Sequence, residues 1–218
     1  LKEQGLEDDT LVIFSADHGD YAGQYGINEK WDADLRDCLL HVPFVMAGPE
    51  IPSGIKVNGL SEFVDFPATI FEYLGWERPP HWVWHGQSLL PMLKGGSGKK
   101  AVFADGGHEQ AMRERFETPA WKEVDGKRIK ATAGKQLTYQ ECPDSMARCK
   151  MVRTEEWKLV VRETGGNELF NMQDDPYELK NLYGQPGTEG VQADLMMQLM
   201  QWCLRTDTDR PFLKKFGA

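Results

Sequence analysis

Residues 10–16, TLVIFSA, form an unbroken apolar run rich in β-branched side chains, and the run stops at Asp17-His18-Gly19-Asp20. A run this short and this apolar predicts a strand buried on both faces of a parallel sheet. In open α/β sheets, ligands gather beyond the carboxyl ends of the strands, where this polar tetrad falls. A second run at 41–48, HVPFVMAG, predicts a neighbouring strand of the same mixed sheet, with Pro43 placed at its start or on a sheet edge. The chain has enough apolar material for a core, with seven Trp, ten Phe and six Tyr, which excludes a disordered chain. No apolar run approaches the ~18 residues of a membrane span. A net charge of −9 argues against a dedicated nucleic-acid binder, which needs a clustered basic face.

Regular patterning continues downstream. Phe63, Phe66, Ile70, Phe71 and Leu74 make one helical stripe within 61–74, stopped by Gly75. Residues 94–150 differ in character: twelve Lys and Arg against eight Asp and Glu give +4, with poor periodicity, which predicts loops packed over the core. From Met151 onward, 151–154, 157–162 and 168–171 read as three short strands of an antiparallel meander, with Gly165-Gly166 as the clearest turn. Val191, Leu195, Leu199 and Trp202 share a helical face within 190–205, predicting a helix that covers this small sheet. The four cysteines show no CxxC spacing, which excludes a zinc-finger or thioredoxin site. Cys142 and Cys149 are close enough to be bridged in an exported chain, and two free thiols in a loop fit them equally.

The chemistry concentrates after the first strand. Asp17 and His18, side by side at a strand end, can both reach one divalent cation through oxygen and imidazole nitrogen. Calcium or magnesium needs roughly six ligands, so partners must come from elsewhere. The same pair also suits a plain strand-end turn, with Asp17 capping and His18 solvated. Lys30 lies thirteen residues past Asp17, where an ammonium beside a metal could neutralise a bound sulfate or phosphate; as a sequence feature alone it is equally a surface lysine. Trp82, Trp84 and His85 suit either a platform for a sugar ring or core packing.

In this order, LVIFSADHGDYAGQYGINEKW, LHVPFVMAGPEIP, VDFPATIFEYLG, GQSLLPMLKG, MVRTEEWKLVVR and ELFNMQDDPYELKNL resemble the landmarks of the C-terminal half of type I, formylglycine-dependent sulfatases of the alkaline phosphatase superfamily. The resemblance implies that Asp17 and His18 are metal ligands, for calcium above all or else magnesium, and that Lys30 contacts the substrate sulfate. Gly19 and Asp20 fit the motif as structural residues. VFADGGHEQ resembles a segment near the pocket mouth in some relatives, which makes His108 a candidate substrate contact. The DDPYELKNL segment is a landmark of the C-terminal subdomain without chemistry of its own.

The C/S-x-P-x-R motif that carries the formylglycine does not occur among the 218 residues; Cys142-Pro143-Asp144 has its proline one place too early and no arginine at the fifth position. LKEQG at the start reads as the end of a helix with Gly5 near its C-cap, without an initiator Met or a signal peptide, so the chain is expected to be a segment of something longer. The expected fold is α/β. Residues 1–95 form the C-terminal part of a sulfatase-like mixed sheet sandwiched by helices, with half the metal site. Residues 96–218 form a loop-rich segment and a subdomain of antiparallel sheet plus C-terminal helix. The expected function is sulfuric ester hydrolysis, with the nucleophile in a missing N-terminal half, a sulfate ester or sulfated sugar as substrate, and a periplasmic, secreted or lysosomal compartment. The alternatives are a phosphonate or phosphodiester hydrolase of the same superfamily, or a non-catalytic homologue that binds sulfated glycans.

Overall fold

The computed structural model describes residues 1–110, 121–130 and 141–206. The fold class is mixed α/β, with antiparallel sheets and a long C-terminal helix. Strands β1 (Val12–Ser15) and β2 (Phe44–Ala47) pair with each other, Phe14 opposite Val45. The two predicted strands are therefore neighbours, and β2 begins just after Pro43. Their pairing is antiparallel, which corrects the expected parallel arrangement, and one face is open. Phe14 and Val45 are 62% and 56% exposed. Local apolarity reports how much a strand can bury, not the direction of its partner.

Helix α1 (Asp37–Leu40) is a single turn between these strands. Helix α2 (Asp65–Tyr73) is narrower than its apolar stripe, because Phe63 and Leu74 lie outside it and are exposed. Its fully buried residues are polar. The Asp65 carboxylate accepts from the backbone N–H of Glu62 and of Gln87, each at 2.8 Å, and pairs with Lys99 at 2.7 Å. Thr69 Oγ1 accepts from Leu89 N–H at 3.0 Å. These bonds tie residues 86–99, including helix α3 (Leu90–Leu93), to α2. Phe44 and Phe66, with ring centroids 4.4 Å apart, join α2 to β2.

The main sheet has the strand order β3-β6-β7-β8, all antiparallel: β3 (Val102–Gly106), β6 (Cys149–Arg153), β7 (Trp157–Arg162) and β8 (Glu168–Asn171). The last three strands are the predicted meander. β3 corrects the expectation of loops between 94 and 150, as does a hairpin of β4 (Trp121–Val124) and β5 (Lys127–Lys130). Its turn is Asp125-Gly126, both with positive φ, a dipeptide suited to a two-residue hairpin loop. The remainder of that expectation, at 111–120 and 131–140, lies outside the described residues. Helix α4 (Glu189–Thr206) packs Leu195 and Leu199 against Val152, Leu159 and Leu169, flanked by Val191 and Trp202. This is the face that the sequence predicts. Cys142 and Cys149 are unbridged, the first exposed and the second buried. Among the described residues no helix is long and apolar enough to cross a membrane.

Candidate functional site

Strand β1 delivers Asp17 and His18 to its carboxyl end. Asp17 is exposed (side chain 88%), and its Oδ1 accepts from the His18 backbone N–H at 3.0 Å. The His18 ring is fixed from both sides. Nδ1 donates to the Gly19 carbonyl at 2.7 Å, and Nε2 accepts from the Lys30 ammonium at 2.8 Å. A carbonyl only accepts and an ammonium only donates, so the imidazole carries its proton on Nδ1 and presents a lone pair on Nε2. Asp17 Oδ2 lies 3.6 Å from that Nε2. The structure thus brings Asp17, His18 and Lys30 together at one point, although Lys30 is twelve residues from His18.

The loop from 21 to 36 holds Lys30 there. Ala22, Tyr25 and Glu29 all have positive φ, a cost that non-glycine residues meet only where surrounding contacts enforce it. Those contacts are visible. Tyr21 is fully buried and its hydroxyl donates to Asp34. Burial, together with the Asp34 carboxylate, pushes the Tyr21 phenol well above its ordinary range. Tyr25 donates to the Tyr177 carbonyl at 2.7 Å, and its ring lies 4.5 Å beneath the Arg36 guanidinium. Arg36 donates to the Glu178 carbonyl at 2.9 Å and pairs with Asp34 and Glu168, both at 3.3 Å. Trp31 Nε1 donates to the Ser145 carbonyl at 2.9 Å.

His108 lies past the end of β3. Its Nε2 is 3.2 Å from Asp32 Oδ2, and its backbone N–H donates to Met146 at 2.8 Å. It therefore packs beside the Lys30 loop, two residues along from Lys30. Trp82 and Trp84 stack on each other, and Trp84 meets Phe71 edge to face at 4.9 Å, so these rings belong to the aromatic cluster on α2.

Asp17 offers an exposed carboxylate, and the His18 Nε2 lone pair, which here accepts from the Lys30 ammonium, is open to a cation only when Lys30 turns away; together they are a donor set suited to a hard or borderline divalent cation. Among the described residues no group of three or more His, Cys, Asp or Glu side chains converges on a metal position, so these two would form part of a ligand set. Sequence reasoning missed the residues that hold the site from behind: Arg36, Asp37, Lys158 and Glu178. The one sequence signal for them is a lysine at 158 set between Trp157 and the apolar run Leu159-Val160-Val161.

Two family models match the chain in order: Sulfatase over residues 1–76, and N-sulphoglucosamine sulphohydrolase, C-terminal, over residues 135–205. Together these matches support a fragment of the sulfatase/alkaline phosphatase superfamily. Among relatives, the chain is 29% identical to the multifunctional alkaline phosphatase superfamily protein PehA of Trinickia caryophylli, over 94% of this chain and 36% of that protein. It is 27% identical to arylsulfatase K of Homo sapiens, over 84% of this chain and 29% of that protein. The chain thus spans about a third of the length of these relatives. Its fold matches the phosphonate monoester hydrolase of Agrobacterium radiobacter with a TM-score of 0.70, at 24% identity, over 94% of this chain and 37% of that one. It also matches a protein solved with its substrate D-glucosamine-2-N,6-O-disulfate, with a TM-score of 0.68, at 20% identity, over 99% of this chain and 38% of that one.

Proposed function

We propose that these residues form the charge-neutralising and metal-holding part of a sulfuric ester hydrolase. The observation that supports this most is the convergence of Asp17, His18 and the Lys30 ammonium at the end of β1, with Lys30 2.8 Å from the imidazole. Asp17 and His18 would hold a divalent cation, calcium before magnesium, which when bound polarises a sulfate ester as a Lewis acid. Lys30 has a donor and a positive charge to offer the sulfate oxygens, and it is exposed on a loop whose backbone is fixed. His108 would contact the rest of the substrate from beside Asp32. A sulfated sugar fits as substrate, in line with the ligand of one structural neighbour. A periplasmic, secreted or lysosomal compartment accompanies this reading. Because no C/S-x-P-x-R motif occurs here, the 218 residues alone are expected to give no turnover.

A second reading, phosphonate or phosphodiester hydrolysis, draws support from the multifunctional relative and from the phosphonate monoester hydrolase fold match. One experiment tests both. The protein expressed from its complete reading frame is assayed on an aryl sulfate and on an aryl phosphonate monoester, as wild type and as Asp17→Ala, before and after chelation. Faster hydrolysis of the sulfate, lost in Asp17→Ala and after chelation, supports the first reading. Preference for the phosphonate selects the second. Wild-type turnover that survives both treatments overturns the metal site.

A further inference from the structure

Lys158, in the interior strand β7, is fully buried (0% exposed). Its ammonium sits between two carboxylates, 2.8 Å from Asp37 Oδ1 and 2.6 Å from Glu178 Oε1. A buried ammonium without partners is strongly destabilising, so this position is tolerable only while both carboxylates face it. Asp37 is the first residue of α1, and Arg153 Nε of β6 approaches its other oxygen at 3.3 Å. Glu178 comes from the turn after β8, and its Oε2 accepts from the Asp37 backbone N–H at 2.7 Å. The turn itself is set. Asp175 accepts from the N–H groups of Leu179 and Lys180 at 3.0 and 2.8 Å, and Glu178 is held in the left-handed region at φ 55°.

The element fixed by this cluster is α1, and α1 carries the candidate site. The Leu39 carbonyl accepts from Gly19 N–H at 2.7 Å. A Cβ at position 19 would run into the Cys38 carbonyl oxygen, so strand end and helix touch backbone to backbone. Gly19 in turn supplies the carbonyl that orients the His18 ring toward Lys30. The contacts therefore run without a gap from the sheet lysine, through α1 and Gly19, to the imidazole.

We propose that Lys158, Asp37 and Glu178 are positioning residues: the turn after β8 and the buried lysine set the orientation of His18 and, through it, of Lys30. The catalytic side of this inference rests on the sulfatase reading above; the mechanical side does not. The DDPYELKNL segment thereby acts on the site from a distance, through Glu178 and α1, rather than by a side chain at the imidazole.

The test uses hydrogen exchange on the protein expressed from its complete reading frame, followed in the peptide that contains Gly19, with β7 as the internal control. Glu178→Ala removes both the ion pair and the acceptor for Asp37 N–H, whereas Glu178→Gln keeps an acceptor and removes the charge. The expected result is exchange at Gly19 faster by about tenfold or more in Glu178→Ala, and by less in Glu178→Gln, with β7 protection retained. In the same variants kcat falls while KM stays near wild type, and Glu178→Gln recovers part of the loss. Gly19 exchange at the wild-type rate in a folded Glu178→Ala protein overturns the proposal. Should Glu178→Ala not fold, a wild-type Gly19 rate in Glu178→Gln overturns it instead. Faster Gly19 exchange in a protein without sulfatase activity would leave the mechanical coupling standing and reject the sulfatase reading alone.

Discussion

Gly19 and Lys30 have opposite kinds of importance. Gly19 has no room for a methyl group, because the obstacle is the Cys38 backbone and cannot swing aside. Gly19→Ala should therefore destabilise the protein by about 1–3 kcal/mol, the usual range for overpacking, read as a lower urea midpoint at unchanged m-value. Lys30 is exposed, and its strongest polar contact is to a ring nitrogen that could instead face a ligand. Lys30→Ala should leave thermal unfolding unchanged but lower kcat/KM on an aryl sulfate by on the order of 10²-fold, the scale for removing one charge-stabilising donor. Unchanged kinetics would make Lys30 an ordinary surface residue. The cysteines make a similar contrast. Burial pushes the Cys149 thiol up to about 11, and its Sγ donates to the Ala33 carbonyl, whereas Cys142 is exposed. At neutral pH a maleimide should label Cys142 and spare Cys149 in the native protein, a difference that mass spectrometry of the labelled peptides will read.

Among the elements, α4 has its energetics on one face. Leu199 is buried against the main sheet, while Leu204, five residues on and on the opposite side of the helix, is 76% exposed. Leu199→Ala leaves a cavity between helix and sheet and should cost about 2–5 kcal/mol. Leu204→Ala should fall within about 0.5 kcal/mol of wild type. Equal losses at the two positions, measured by urea unfolding, would mean that the helix does not pack on this face. The periodicity of α4 was readable because the helix buries one apolar stripe. In α2 the apolar stripe misleads, since the residues that bury completely are Asp65 and Thr69, and their burial is justified by partners more than fifteen residues away.

For the whole molecule, pH is the lever that reports on the buried charges. Burial works to raise the Asp37 carboxyl, but Lys158 and Arg153 outweigh it and hold the group below its ordinary 3.8. A depressed carboxyl contributes stability that is present above its unfolded value and lost as pH falls through the folded one. Glu178 runs the other way: burial raises it above 4.5, with Lys158 offsetting only part. Stability from that group declines as pH rises through its folded value, so the acid limb is a difference of two opposed contributions. The alkaline limb is simpler. Cys149 is raised from 9.0 to about 11 by burial, and Tyr21 is raised from 10.0 in the same sense. Raised groups lend stability that is complete below their unfolded values and fades as pH climbs toward the folded ones. The urea midpoint should therefore fall as pH rises from 9.0 to about 11, and Cys149→Ala should flatten the first part of that fall. A midpoint independent of pH in this window would contradict the burial of both groups.

Local pattern alone determined β6, β7, β8 and α4, because each buries residues at the spacing of its own backbone, and a single chain segment carries that information. It also placed Asp17 and His18 at a strand end, since the apolar run stops where the polar tetrad begins. Tertiary structure decided what depends on pairing at a distance. The direction of β2 against β1, the fourth strand β3 and the absence of a Cys142–Cys149 bridge all turn on which backbone groups and side chains meet in space. The hold of the C-terminal turn on the site belongs there too. Glu178 and Asp37 lie 141 residues apart, and neither position has a local pattern that names the other. A buried lysine is tolerable only beside opposite charges, and only the folded chain brings those charges to it.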